Sequence, residues 1–135
     1  MVQLYYAVIS NKAKYERVKE AIFMNIQIFG IKKCFDTQKT ERYFKERKIK
    51  YQYVDLAKYG LSKGEFESVK ASVGLAGLIN CEAKEYVVLN LQHIRGSSVR
   101  EEILFNNPKL FNTPIVRNSR QATVGYQPEV WKDWE

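Results

Sequence analysis

The sequence predicts a single α/β domain, a mixed four-stranded sheet flanked by helices, in the order βαβ, then helices, then ββα. Three observations carry that prediction. An alternating strand, an amphipathic helix and an aromatic-rich strand follow one another within about thirty residues. Helical segments with recognisable starts and stops fill the middle of the chain. After Pro114, two short β-rich runs and a closing helical run complete it.

Asn25 to Phe29 (NIQIF) alternates as a strand, with Ile26 and Ile28 on one face. Gly30 to Lys33 turns, and from Phe35 the spacing becomes helical, with Tyr43 and Phe44 as the apolar anchor. The helix ends over Lys48 to Lys50, and Tyr51 to Leu56 (YQYVDL) is a second strand rich in aromatic and β-branched residues. A strand, helix and strand joined this tightly form a βαβ unit, so the two strands are expected to be parallel. Ser62 starts the next helix, with Glu65 three residues on completing a capping box, and the pattern runs to about Val73. Leu75 to Asn80 is a short turn or helix. Val99 to Asn106 is another helix, capped by Ser97 or Ser98 and stopped by Pro108. Ile115-Val116 and Gln121 to Val124 are partner strands across the polar turn at Asn118-Ser119, and Gly125 ends them. Pro128 to Trp134 closes as a short helix with Val130, Trp131 and Trp134 inward. This order is that of the thioredoxin fold.

Residues 1 to 23 stand apart as an N-terminal extension: a strand over Val2 to Ile9 and a helix over Lys12 to Phe23. They are either an element packed on the domain or an extension without separate function. The domain itself is expected to span 24–135.

The chain has 135 residues, enough for one domain, and 45% of them are hydrophobic, enough for a core. No apolar run approaches the ~20 residues of a membrane span, and the N-terminus lacks the basic start of a secretory signal. A cytoplasmic protein is expected. With two separated cysteines, Cys34 and Cys81, and one histidine, His93, neither a zinc site nor a disulfide framework is expected. The net charge is +7, and between Lys32 and Lys50 eight basic residues stand against three acidic ones. That concentration reads either as a field that favours a thiolate or anion, or as the solvated face of a helix. No nucleic-acid-binding motif is present.

A cysteine at a strand-to-helix turn has a physical reason to react, because the first helical amides and the helix dipole favour negative charge there. Cys34 sits at such a turn with Lys32 and Lys33 beside it. It is either an activated nucleophile or a buried thiol closing a helix end. Cys81 follows an apolar stretch and reads as a packed thiol rather than one that resolves oxidised Cys34. His93 reads as a surface or loop residue.

Four segments in order carry a resemblance. Gly30-Ile31-Lys32-Lys33-Cys34 with Asp36-Thr37-Gln38-Lys39, Leu78-Ile79-Asn80, Pro108 to Val116 (PKLFNTPIV) and Val124 to Glu129 (VGYQPE) resemble motifs of the arsenate reductase (ArsC/Spx-like) family, over Met24 to Trp134. The resemblance implies a thioredoxin fold with Cys34 as nucleophile. It also implies a cis bond at Pro114, with Thr113 offering backbone contacts to a thiol substrate and a hydroxyl to Cys34. Lys32, Lys33, Thr37, Thr113, Pro114 and Arg117 are accordingly the candidate substrate-binding residues. The cycle it implies uses glutathione, another small thiol or a protein thiol partner, with no tightly bound cofactor. Members that reduce arsenate hold the oxyanion with arginines. Here Thr113, Tyr126 and the Leu75-Ala76-Gly77 stretch stand where those are expected, which argues against arsenate itself. Arg117 and Arg120 are near enough in sequence to substitute, or are solvated turn residues. Thr37 stands where Spx-like members carry a second cysteine. The reading is a monothiol oxidoreductase; the alternative is a non-enzymatic Spx-like interaction domain, whose relatives bind RNA polymerase.

Overall fold

The computed structural model describes residues 25–134. The strand expected over 2–9, the helix over 12–23 and the boundary at Met24 lie outside them.

The sheet has the order β2-β1-β3-β4, built from β1 (Ile26–Gly30), β2 (Tyr51–Asp55), β3 (Ile115–Asn118) and β4 (Gln121–Val124). β1 and β2 are parallel, with Gly30 opposite Asp55. β3 runs antiparallel to both β1 and β4. The mixed four-stranded sheet is therefore the one the sequence predicts. α1 (Phe35–Glu46) makes the crossover between β1 and β2. Its Thr37, Thr40, Tyr43 and Phe44 are buried. Tyr43 and Phe44 join Ile26, Ile28, Val116 and Trp131 in one of two apolar clusters. Trp131 lies on α7 (Pro128–Trp131) and donates its indole N–H to the Thr123 hydroxyl at 2.8 Å.

The second cluster covers the opposite face with Phe29, Leu56, Phe66, Val69, Leu104 and Ile115 among its members. It is closed by the middle helices: α2 (Leu56–Tyr59), α3 (Lys63–Val73), α4 (Leu75–Leu78), α5 (Lys84–Val88) and α6 (Ser97–Asn106), with single 3₁₀ turns at Leu91–His93 and Pro108–Leu110. The capping box of α3 forms as the spacing requires. The Glu65 amide donates to the Ser62 hydroxyl at 3.2 Å, and the Ser62 amide donates to the Glu65 carboxylate at 2.9 Å. Replacing Ser62 with Ala removes one of these bonds. It is expected to lower stability by about 1 kcal/mol in urea unfolding, with an unchanged m-value.

Several local expectations are corrected. Leu56 does not extend β2; it opens α2 with its side chain fully buried, and Gly60 ends that turn at φ +63°. α6 starts earlier than Val99: Ser97 and Ser98 are inside it, Gly96 holds the cap position and no side chain caps it. The turns at 84–88 and 91–93 carry no sequence punctuation and were not expected. Cys81 is exposed rather than packed, because burial ends at Leu78 and Ile79 just before it. His93 is exposed, as its sequence context implies. No helix among the described residues is long and apolar enough to cross a membrane.

Candidate active site

The site lies where β1 ends. Gly30 is buried, and the turn after it is closed by the Cys34 amide donating to the Ile31 carbonyl at 2.9 Å. Cys34 is the N-cap of α1, with extended backbone at φ −78° and ψ 123°. The Gln38 amide donates to the Cys34 carbonyl at 3.1 Å, and the Gln38 side chain ties back to the Lys32 carbonyl at 2.8 Å. The loop is thus laced to the first turn of the helix on both sides of the cysteine.

Gly30 is required here for space. A β-carbon on it would stand 2.6 Å from Thr37 Cγ2 and 2.7 Å from Thr37 Oγ1. Thr37 is fully buried behind the cysteine loop, and its hydroxyl accepts from the Ile31 amide at 3.4 Å.

From the other side, the segment between the 3₁₀ turn and β3 delivers Thr113 and Pro114 through a cis bond. Its position is fixed by Asn112, whose amide donates to the Leu78 carbonyl at 2.8 Å and whose side chain donates to the carbonyls of Gly77 and Ile79 at 3.0 and 3.1 Å. The Asn80 amide donates in return to Leu110 at 2.7 Å. Two of the quoted motifs are therefore halves of one clamp. Thr113, half-buried, donates its hydroxyl to Cys34 Sγ at 3.3 Å. The protonated thiol points back at the Thr113 carbonyl, 3.9 Å away.

These contacts decide the protonation of Cys34. Partial burial pushes its pKa up. The Thr113 hydroxyl, the amide and hydroxyl of Thr37 and the amide of Asp36 outweigh burial, so the thiol is held below its ordinary value. The helix-start amides act as the strand-to-helix turn implies. The lysines do not contribute as the basic run implied. The Lys32 ammonium stands 3.7 Å from the Glu41 carboxylate and 4.2 Å from the centre of the Tyr53 ring. Lys33 is exposed, and neither lysine is among the groups that set the Cys34 pKa. Arg117 is held elsewhere. It lies opposite Gln27 on β1, about 10 Å along the strand from Gly30. Its guanidinium donates to the Gln27 side chain at 2.7 Å and to the Ser119 carbonyl at 3.0 Å. The structure therefore brings Thr37, Thr113 and Pro114 to Cys34, and does not bring Arg117.

Sequence reasoning missed three contributors. Gly30 was read only as a turn, Asn112 only as part of a motif, and Tyr53 only as a strand residue. The Tyr53 hydroxyl is buried with no hydrogen-bond partner among the described residues. Burial, then the charges of Asp55, Glu41 and Cys34, push its pKa up to about 12, so it keeps its proton. No group of three His, Cys, Asp or Glu among the described residues is placed to hold a metal ion.

Substituting Thr113 by Val removes the donor at 3.3 Å while keeping the shape. The Cys34 pKa is expected to rise, and alkylation at pH 7 is expected to slow severalfold. Iodoacetamide kinetics followed by mass spectrometry measure it.

A half-buried thiol whose pKa a hydroxyl and helix-start amides hold below its ordinary value, beside a cis-proline segment, defines a candidate thiol site on a thioredoxin-like fold. The ArsC family model matches residues 29–134, and the chain belongs to the ArsC family. Among solved structures the chain is similar to the arsenate reductase from Vibrio cholerae, with 22% identity and a TM-score of 0.73 over 83% of this chain and 98% of that one. It is also similar to an arsenate reductase (ArsC) related protein from Brucella melitensis, with 20% identity and a TM-score of 0.62 over 82% and 93%. At these identities the likeness establishes the fold. No curated protein matches the chain.

Proposed function

We propose that this chain is a thiol–disulfide oxidoreductase in which Cys34 works as a single nucleophile, coupled to glutathione or another small thiol in a cytoplasmic, reducing setting. The observation that carries the reading is the Thr113 hydroxyl donating to Cys34 Sγ at 3.3 Å, a bond that favours the thiolate and lowers the Cys34 pKa. In the first step the Cys34 thiolate attacks one sulfur of a disulfide. A bond to Cys34 forms, the substrate S–S bond breaks, and the departing sulfur takes the electron pair and then a proton from solvent. In the second step the thiolate of a small thiol attacks the substrate-derived sulfur. The new disulfide leaves, and the pair from the broken bond returns to Cys34. Donors that lower the Cys34 pKa also make it the better leaving group in that step.

Arsenate reduction is outside this proposal. A tetrahedral oxyanion is held by arginine forks, Thr113 and Tyr126 stand where the family pattern has arginine, and Arg117 is bonded to Gln27. The same departures support a second reading, an interaction domain of the Spx-like kind that binds RNA polymerase. The test is incubation with glutathione disulfide. The reading predicts one glutathione added at Cys34 and removed by free thiol, in the wild-type chain and in Cys81→Ser alike. An adduct confined to Cys81, or none, would turn attention to recovery of a polymerase subunit in a pull-down.

A further inference from the structure

A cavity of about 200 Å³ lies along α1, away from the Cys34 loop, lined by Lys39, Arg42, Glu46, Arg47, Tyr126 and Pro128 among others. We propose that this groove is a subsite for a carboxylate carried by the thiol that reacts at Cys34, and that Lys39 and Arg42 hold that carboxylate. The inference rests on the thiol-exchange reading above.

Charge is the first argument. Three cations line the groove against one acid, Glu46. Arg47 is already committed, donating to the Tyr43 carbonyl at 3.3 Å and stacking 3.7 Å from the centre of the Tyr43 ring, so it forms a wall. Arg42 is exposed, and among the described residues its guanidinium has no ion pair and no hydrogen bond. Lys39 is held loosely, 4.0 Å from Asp36 and 5.6 Å from the centre of the Tyr126 ring. These are the two cations with capacity to spare. Arg42 offers a planar fork that fits a carboxylate, and Lys39 a point charge beside it.

Position is the second argument. Phe35, Lys39 and Arg42 fall at i, i+4 and i+7 on one stripe of α1, and Phe35 is 78% exposed next to the cysteine. At 1.5 Å per residue, Lys39 and Arg42 lie about 7 and 12 Å along the helix from Cys34. The opposite wall connects to the sulfur as well. Thr113 touches Cys34, the Pro114 carbonyl accepts from the Gly125 amide at 2.8 Å, and the next residue, Tyr126, lines the groove. A molecule with its sulfur at Cys34 and a carboxylate several bonds away spans that distance.

The test uses the full chain in a Cys81→Ser background. Cys34 is converted to its pyridyl disulfide with 2,2′-dithiodipyridine. A thiol probe then attacks Cys34 Sγ: a probe–Cys34 bond forms, the pyridyl S–S bond breaks, and thiopyridone leaves with the electron pair, takes up a proton and is read by its absorbance. Glutathione is the carboxylate-bearing probe and β-mercaptoethanol the neutral one. The ratio of their rates is expected to fall about tenfold in K39Q/R42Q, the size expected for two partly solvated charge contacts. In the parent chain the same ratio is expected to fall as salt is raised. A ratio that stays within twofold in the double variant, or that ignores salt in the parent, overturns the subsite. Both arms leave the exchange reading intact as long as β-mercaptoethanol still reacts at Cys34.

Discussion

Cys34→Ser is expected to abolish thiol–disulfide exchange, a fall of more than about a thousandfold in the rate of reducing a small disulfide with glutathione as donor. Ser in this place keeps the loop, because the bonds that close it use the backbone of residue 34: its amide to Ile31 and its carbonyl from Gln38. What disappears is the nucleophile. A serine hydroxyl beside Thr113 has no general base among the groups that surround Cys34, and so gains nothing from donors arranged for an anion. Cys81→Ser is expected to change the rate by less than twofold, since Cys81 is exposed and has no role in the proposed cycle. Loss of activity in Cys81→Ser alone would contradict the monothiol reading. The same substitution at Cys34 carries a pH signature. A thiol whose pKa is lowered by folding stabilises the native state fully above the unfolded value of about 8.5, and that contribution is lost as pH falls through the lower folded value. The stability gap between the parent and Cys34→Ser is therefore expected to widen as pH rises from 7 to 9.5 in thermal unfolding.

Gly30→Ala is expected to be the most damaging single methyl in the site. The added carbon would lie 2.6 Å from Thr37 Cγ2, and Thr37 is fully buried at the start of α1, so the helix start or the strand end must move. Overpacking of this kind costs about 1–3 kcal/mol. The displacement also pulls the Thr37 amide and hydroxyl away from the sulfur, so the Cys34 pKa is expected to rise with the loss of stability. A double-mutant cycle separates the two effects. Thr37→Ala in the Gly30→Ala background removes both close atoms and is expected to recover much of the stability in urea unfolding. It is not expected to restore the Cys34 reactivity, because the Thr37 hydroxyl is gone. No recovery of stability would show that Thr37 is not the contact that makes glycine necessary, and recovery of reactivity as well would show that the Thr37 hydroxyl does not hold the Cys34 pKa down.

The sheet and its neighbours were legible because they are written in local pattern. The alternation of Ile26 and Ile28, the Tyr43-Phe44 anchor and the Ser62–Glu65 spacing each dictate their element with little help from distant residues. The stretch between Cys81 and Gly96 was not legible in the same way. Its two short turns are held by tertiary packing of Leu78, Tyr86 and Leu91, and they lack the length for a helical period to emerge. Part of the site was legible for the same reason as the fold. Cys34 stands at a strand-to-helix turn, and the resemblance placed Thr113-Pro114 across from it, where the structure has the Thr113 hydroxyl on the sulfur. The electrostatics were misread because sequence adjacency is not spatial adjacency. Lys32 is two residues from Cys34, yet its ammonium turns to Glu41 and the Tyr53 ring. Arg117 is three residues past Pro114, yet the pleat directs it to Gln27. The groove was hidden inside a charge run: only the fold sets Lys39, Arg42 and Arg47 beside Tyr126 and Pro128.

The central claim is that Cys34 is an activated thiolate, and the pH dependence of its alkylation by iodoacetamide in a Cys81→Ser background tests it most directly. A midpoint clearly below the free-cysteine value of about 8.5 is the predicted result. A midpoint at or above that value would mean that burial outweighs the donors around the sulfur, and would contradict the account.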